Sequence, residues 1–324
     1  MKTFRPSHQT ILLEEETYLE TLRSIRQQLL PYRMTGSFAS FDGTELRWEG
    51  YLAENARGTV VILHGFTEFP GKYLEMTWYF LNRGYHVFLP TQRGHDTAGI
   101  IHVDRFDDYV YDLNCFIEQF RSYTDSLPLY LYAHSMGGGV GARHLQEYPG
   151  EFQKAILSSP MFCPRAADLP YAAALCGTRA MLCRGGQETS TLFTCTFDPN
   201  TPLERSSAAS EGRFRWNISC RLENPLYQTS GVSNRWVYES VALQQRVLRR
   251  SNCRRIRVPV LVFSAGRDAQ VRLAPQERFV KRVPSAVLVR YPEEKHELFS
   301  AKNEVLKDYL DRIFAFLETE PAGQ

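Results

Sequence analysis

The chain has 324 residues, 43% of them hydrophobic, and a formal net charge of +2, which is enough apolar material for a substantial core. No apolar run approaches the ~18 to 20 residues of a membrane span. The opening stretch MKTFRPSHQTILLEEETYLE carries acids where a secretory leader has its apolar region, so a cytoplasmic location, peripheral to a membrane at most, is expected. Seven cysteines include no C-x-x-C pair, which points away from zinc and thioredoxin-like chemistry and leaves free thiols as the expectation.

In chain order, Tyr18, Leu22, Ile25 and Leu29 recur at helical spacing within residues 17–30, so an amphipathic helix is expected ahead of the main domain. Residues 37–41 and 45–52 read as two strands joined by a turn at Asp42-Gly43. Strand and helix then alternate. Strands are expected at 59–63, 85–89, 129–132 and 155–158, and helices at 73–82 and 107–120. Later come strands at 258–264 and 286–290 and a closing helix at 303–316. Near-continuous apolar strands separated by helices predict an α/β fold with a mostly parallel central sheet covered by helices on both faces.

Between Ser158 and Val258 the alternation breaks, and a helical cap inserted into the α/β domain is expected. The organisation predicted is an N-terminal helical extension (1–34), a core (35–162 and 258–324) and a cap (163–257). The segment Cys163 to Arg257 holds 14 arginines, no lysine and seven acids, so it carries +7 while the remainder carries −5. Within it, Ser233 is placed to cap a helix that carries Trp236, Leu243 and Val247 on one face.

Ala133-His134-Ser135-Met136-Gly137 follows an apolar strand and opens a glycine-rich helix, the context of a nucleophile elbow. The first glycine of the usual G-x-S-x-G is here Ala133. A serine hydroxyl needs a base in hydrogen-bond reach and a carboxylate to orient that base. Both are expected late in the chain, in the order serine, acid, histidine that accompanies such an elbow. Asp268 follows the strand at 258–264 and His296 follows the strand at 286–290, so all three fall at one edge of the sheet. Glu293, Glu294 and Glu297 read as solvated surface charges. The loop Leu63-His64-Gly65-Phe66-Thr67-Glu68 ends the first parallel strand, and an oxyanion hole is assigned to the backbone N–H groups of Phe66 and Met136. His64 and His95 read as loop-bracing residues, and His134 as a side chain directed into the protein.

The set L-H-G-x-x-E, R-G-H, A-H-S-M-G-G, Ser158-Ser159-Pro160 and the late Asp268 and His296 resembles the α/β-hydrolase superfamily, and within it the monoacylglycerol lipase and bacterial lysophospholipase group. The resemblance runs from about Phe38 to Phe316. It implies hydrolysis of one acyl ester by a Ser135–Asp268–His296 triad, without metal or organic cofactor, on a small lipid or ester substrate. The chain departs from the family pattern at Ala133, at Thr91-Gln92 and at Asp96-Thr97.

In the cap, Trp216, Tyr227 and Trp236 are candidates to line an acyl tunnel. Arg213, Arg215 and Arg221 are candidates to hold a phosphate headgroup or to make transient contact with an anionic membrane, because arginine binds phosphate through paired hydrogen bonds. Solvated surface arginines are the competing reading. A carboxylesterase for short soluble esters and a non-catalytic hydrolase-like binding protein are the alternatives in function, and no nucleic-acid motif accompanies the basic residues.

Overall fold

The computed structural model describes residues 2–124, 127–165, 169–183, 185–186 and 196–319. Among the described residues there are ten strands: β1 (Met34–Ala39), β2 (Glu45–Tyr51), β3 (Gly58–Leu63), β4 (Tyr85–Pro90), β5 (Ile100–Ile101), β6 (Leu129–His134), β7 (Lys154–Ser158), β8 (Gly231–Val232), β9 (Val260–Ala265) and β10 (Ala286–Tyr291). The helices are α1 (Tyr18–Leu29), α2 (Leu74–Asn82), α3 (Asp107–Thr124), α4 (Met136–Glu147), α5 (Tyr171–Leu182), α6 (Glu211–Glu223), α7 (Asn234–Val247), α8 (Arg250–Cys253), α9 (Leu273–Arg282) and α10 (Asn303–Glu318). Eight strands form one sheet in the order β1-β2-β4-β3-β6-β7-β9-β10. The β1–β2 and β2–β4 pairs are antiparallel and the remaining pairs are parallel.

Strand pleating sends alternate residues to opposite faces. Val61 and Leu63 of β3, Leu131 and Ala133 of β6, and Val260 and Val262 of β9 therefore join one core with residues of α3, α4, α7 and α9. Val60 and Ile62, Tyr130 and Tyr132, and Leu261 and Phe263 join a second core with α1, α2, α6 and α10. Burial on both faces explains why these strands read as continuous apolar runs. β1 begins at Met34, before the apolar pattern does, because ladder pairing with Gly50 extends it through the exposed polar residues Thr35 and Ser37.

Helix α1 buries the four residues that the spacing selects, each worth about 1.5–3 kcal/mol. It packs against α2 and α6, and Phe4 is bonded through its backbone to Leu52 and Glu54, so the N-terminal residues are part of the packed body. The inserted region likewise shares the main cores. Trp216 and Cys220 of α6 enter one, Trp236 and Val237 of α7 enter the other, and among the described residues only a small cluster around Ala174 and Val241 is its own. Ser233 Oγ accepts the Trp236 N–H at 3.1 Å, the cap expected from sequence. Among the described residues the six cysteines are free; Cys195 lies outside them.

Candidate active site

Ser135 stands between the end of β6 and the start of α4 with φ 51° and ψ −116°, a backbone that non-glycine residues avoid. Neighbouring bonds hold it there. Its N–H donates to the Ser158 carbonyl at 3.0 Å, and its own carbonyl accepts from Gly139 at 3.1 Å and Met161 at 2.7 Å. The helix can start this close to β3 only because Gly137 lacks a side chain: a Cβ there would lie 2.4 Å from the Leu63 carbonyl oxygen and 2.7 Å from that of His64. Both contacts are backbone and cannot rotate away. Gly137→Ala is therefore expected to push α4 off the end of β3, lowering the unfolding temperature and hydrolytic rate together. Circular-dichroism melting with wild-type stability would exclude that contact as a constraint. Ala133 fits because Gly141 faces it, with the position of a Cβ on Gly141 only 3.3 Å from the Ala133 methyl.

Asp268 lies three residues past β9 and is almost wholly buried. One carboxylate oxygen accepts the N–H groups of Gln270 (2.8 Å) and Val271 (2.9 Å), and the other faces His296 Nδ1 at 2.6 Å. Burial pushes this carboxyl up, but His296 and the two amides outweigh it and hold it below its ordinary value. With Nδ1–H donating to Asp268, His296 presents Nε2 as the acceptor, and Nε2 lies 2.8 Å from Ser135 Oγ. The three sequence-predicted residues, 161 and 28 positions apart, thus form one hydrogen-bonded row.

The loop after β3 supplies the second element. His64 Nε2 accepts the Gln92 N–H at 3.0 Å, and the Gln92 side chain donates to the His64 carbonyl, so the glutamine in the unusual Thr91-Gln92 pair braces this loop. His95 Nε2 accepts the Thr67 N–H at 3.2 Å, the bracing role expected of the R-G-H motif, and burial drives its pKa down to about 3. The N–H groups of Phe66 and Met136 have no acceptor among the described residues. The Met136 amide is free because the first turn of any helix lacks intrahelical acceptors.

Beside the row lies a buried charge cluster that the sequence reading missed. Lys72 Nζ donates to Glu68 at 2.7 Å and to Glu297 at 2.7 Å, while Glu68 also accepts from Tyr73 and from the Gly65 N–H. Burial opposes ionisation of both partners, yet their attraction wins: Lys72 is held above its usual range and Glu68 well below the carboxylate range. The i, i+4 spacing of Glu68 and Lys72 was readable as an ion pair. Glu297, expected to be solvated, is instead packed against Lys72, because the loop carrying His296 folds down on the loop after β3. Glu293 is exposed and pairs with Arg267. His134 points inward as expected; burial pushes its pKa to about 3, and its ring centroid is 4.8 Å from that of His296.

A cavity of about 230 Å³ opens onto Ser135 and His296, lined also by Phe66, Trp236, Arg221 and the Glu68–Lys72–Glu297 cluster. Of the cap candidates, Trp236 and Arg221 are here, with Trp236 stacked on Phe66 at 4.2 Å. The others are not among its lining residues. Arg213 is buried in ion pairs with Glu75 and Glu15, Arg215 is exposed and pairs with Glu211 one turn away, Trp216 donates to the Gly71 carbonyl within the core, and Tyr227 stacks on Phe69. Arg215 apart, their aromatic and cationic side chains answer to partners that are distant in sequence. No group of side chains suited to a metal ion occurs among the described residues, and no helix among them is long and apolar enough to cross a membrane.

A mostly parallel sheet with serine, acid and histidine on its C-terminal loops defines a hydrolase of the α/β-hydrolase fold. The family described as Hydrolase_4: Serine aminopeptidase, S33, matches residues 54–303, and the chain belongs to it. The chain is 25% identical over 297 residues to the monoacylglycerol lipase of Mycolicibacterium smegmatis, covering 88% of this chain and 98% of that one. It is 28% identical over 230 residues to lysophospholipase L2 of Escherichia coli, covering 67% and 66%. A thermostable carboxyl esterase from Bacillus coagulans, solved with glycerol, superposes with a TM-score of 0.71 at 19% identity, covering 88% of this chain and 98% of that one. With these relatives, the enzyme class is carboxylic ester hydrolase.

Proposed function

We propose that the protein hydrolyses the ester of a monoacyl lipid through an acyl-enzyme, with Ser135 as nucleophile, His296 as general base and then acid, and Asp268 as the residue that fixes the imidazole tautomer. The observation that carries this reading is the 2.8 Å approach of His296 Nε2 to Ser135 Oγ, with Nδ1 held by a buried carboxylate. In the first step Oγ attacks the ester carbonyl while its proton passes to Nε2, and the oxyanion is received by the N–H groups of Phe66 and Met136. Nε2 then returns the proton to the departing alcohol. Water, deprotonated by the same nitrogen, adds to the acyl carbonyl, and collapse of that adduct expels Ser135 and releases the fatty acid.

The cavity's formal charges balance: Lys72 and Arg221 are matched by Glu68 and Glu297. With no surplus of positive charge, the wall favours a neutral, hydroxyl-bearing leaving group over a phosphodiester, so a monoacylglycerol is the preferred substrate of the two relatives' types. The cavity volume of about 230 Å³ is below the ~300–1,000 Å³ usual for ligand sites, and this supports a second reading, an esterase for short acyl chains. Fatty-acid release from a monoacylglycerol and a lysophospholipid of equal chain length, with a butyrate ester alongside, tests these readings. Faster turnover of the monoacylglycerol is expected. Preference for the lysophospholipid would overturn the charge argument, and activity confined to the butyrate ester would give the second reading the weight.

A further inference from the structure

Helix α6 lies along residues 67–75, the stretch that leads from the oxyanion loop into α2. Three side chains from its buried face meet that stretch in antiparallel order. Arg213 donates to both carboxylate oxygens of Glu75 (2.8 and 2.7 Å), Trp216 Nε1 donates to the Gly71 carbonyl (3.0 Å), and Arg221 Nη2 donates to the Thr67 carbonyl (2.6 Å). The partners 75, 71 and 67 follow each other at four-residue steps.

The last of these rungs falls on a strained residue. Thr67 has φ 60°, in the left-handed region that a β-branched side chain avoids. It immediately follows Phe66, and the turn at 67 fixes the plane in which the loop's peptide groups lie. Both of its backbone polar groups are restrained: the N–H by His95 from the core, the carbonyl by Arg221 from the inserted region. The Arg221 guanidinium is itself held over the rings of Phe69 and Phe197, 5.7 and 5.5 Å from their centroids.

We propose that Arg221 is a positioning residue: by holding the Thr67 carbonyl it keeps the oxyanion loop in the left-handed turn that aims the Phe66 N–H, so that α6 acts as a splint for the oxyanion hole. This rests on the assignment of Phe66 as an oxyanion donor. It also assigns α6 a fixed place, because a helix that swung away would release the loop it holds. The expected signature is on the chemical step. A donor displaced by about 1 Å loses much of its effect on the transition state while ground-state binding is little changed.

The test uses the full-length chain with p-nitrophenyl butyrate, a neutral ester with no headgroup for arginine to grip, and with a lysophospholipid alongside. Arg221→Met is expected to lower kcat by roughly tenfold or more with KM within about twofold. In a Thr67→Gly background the same substitution is expected to cost less than about threefold, since glycine takes the left-handed turn without restraint. Arg221→Lys, which keeps one donor for the carbonyl, is expected to stay within about threefold of wild type and serves if the methionine variant does not fold. An equal loss in both backgrounds, or a change in KM with kcat intact, would overturn the proposal. So would a loss confined to a lysophospholipid substrate, which would make Arg221 a headgroup contact. Ser135→Ala run in parallel separates the two levels: retained activity in that variant overturns the site assignment and this proposal with it, whereas its loss of activity beside an unimpaired Arg221→Met overturns this proposal alone.

Discussion

Replacing Ser135 with alanine is expected to lower turnover by about 10³-fold or more, on every ester the protein cleaves. In the proposed mechanism the substitution removes the atom that forms the acyl bond, and it leaves the rest of the row standing. Asp268 keeps its two backbone donors and its bond to His296, so the variant should fold as the wild type does. On that mechanism, what remains is the stabilisation given by the proposed Phe66 and Met136 oxyanion donors and by binding. The measurement is steady-state hydrolysis of one ester by both proteins, paired with labelling by a fluorophosphonate. Loss of turnover and of labelling together assigns the nucleophile. A variant that keeps most of its activity removes Ser135 from the mechanism, and a wild-type chain that neither turns over nor labels would instead be a binding protein.

The largest expected effect on stability is at Lys72. Its ammonium sits between Glu68 and Glu297 with side chains only 5%, 5% and 13% exposed. Lys72→Met leaves two carboxylates in a confined site without their counter-charge, the situation that costs about 3–5 kcal/mol when one member of a buried pair is lost. For a chain of this length the unfolding temperature is expected to fall by roughly 4 to 8 °C. The pH dependence has a defined sign. In the wild type, Glu68 is held below its ordinary pKa of 4.5, so its contribution is complete above that value and is lost as pH falls through the lowered folded value. In the variant Glu68 protonates more easily, because its burial is no longer opposed by Lys72. The stability gap between the two proteins should therefore be widest near neutral pH and narrow on acidification. Denaturant melts at pH 7 and pH 5 measure it, and a gap that is absent or that widens toward pH 5 would show that the cluster does not hold these loops.

The network has a mechanistic setting as well. Glu68 accepts the Gly65 N–H on the loop after β3, and Glu297 is the neighbour of His296, so one ammonium ties together the two loops that meet beside Ser135. Its loss is expected to loosen the relation of the proposed base and oxyanion donor in addition to weakening the fold.

How far the chain could be read depended on the range over which each signal acts. Local periodicity determined α1, whose four apolar residues at helical spacing are the four it buries, and the strands β3, β6 and β9, whose unbroken apolar runs anticipate a sheet covered on both faces. The elbow was legible because its requirements are local too: a strand, a serine, then residues without bulk. Asp268 and His296 could be placed because each follows directly on a strand end, and parallel strands deliver their C-terminal loops to one edge.

The cap could not be read this way. Arg213 looked like a headgroup ligand, yet it meets Glu75, 138 positions earlier; Glu297 looked solvated, yet it meets Lys72, 225 positions earlier. Whether a charged side chain serves a ligand, a partner or water is decided by what the folded chain brings opposite it, and no local pattern encodes that. The sequence by itself determined the sheet, the elbow and the order of the reactive residues, because backbone periodicity and steric need at a turn are properties of neighbours. Only the tertiary structure decided which cap residues face the cavity, that Thr67 is strained and clamped, and that buried charges join the two loops, because burial and charge pairing are properties of residues far apart in the chain.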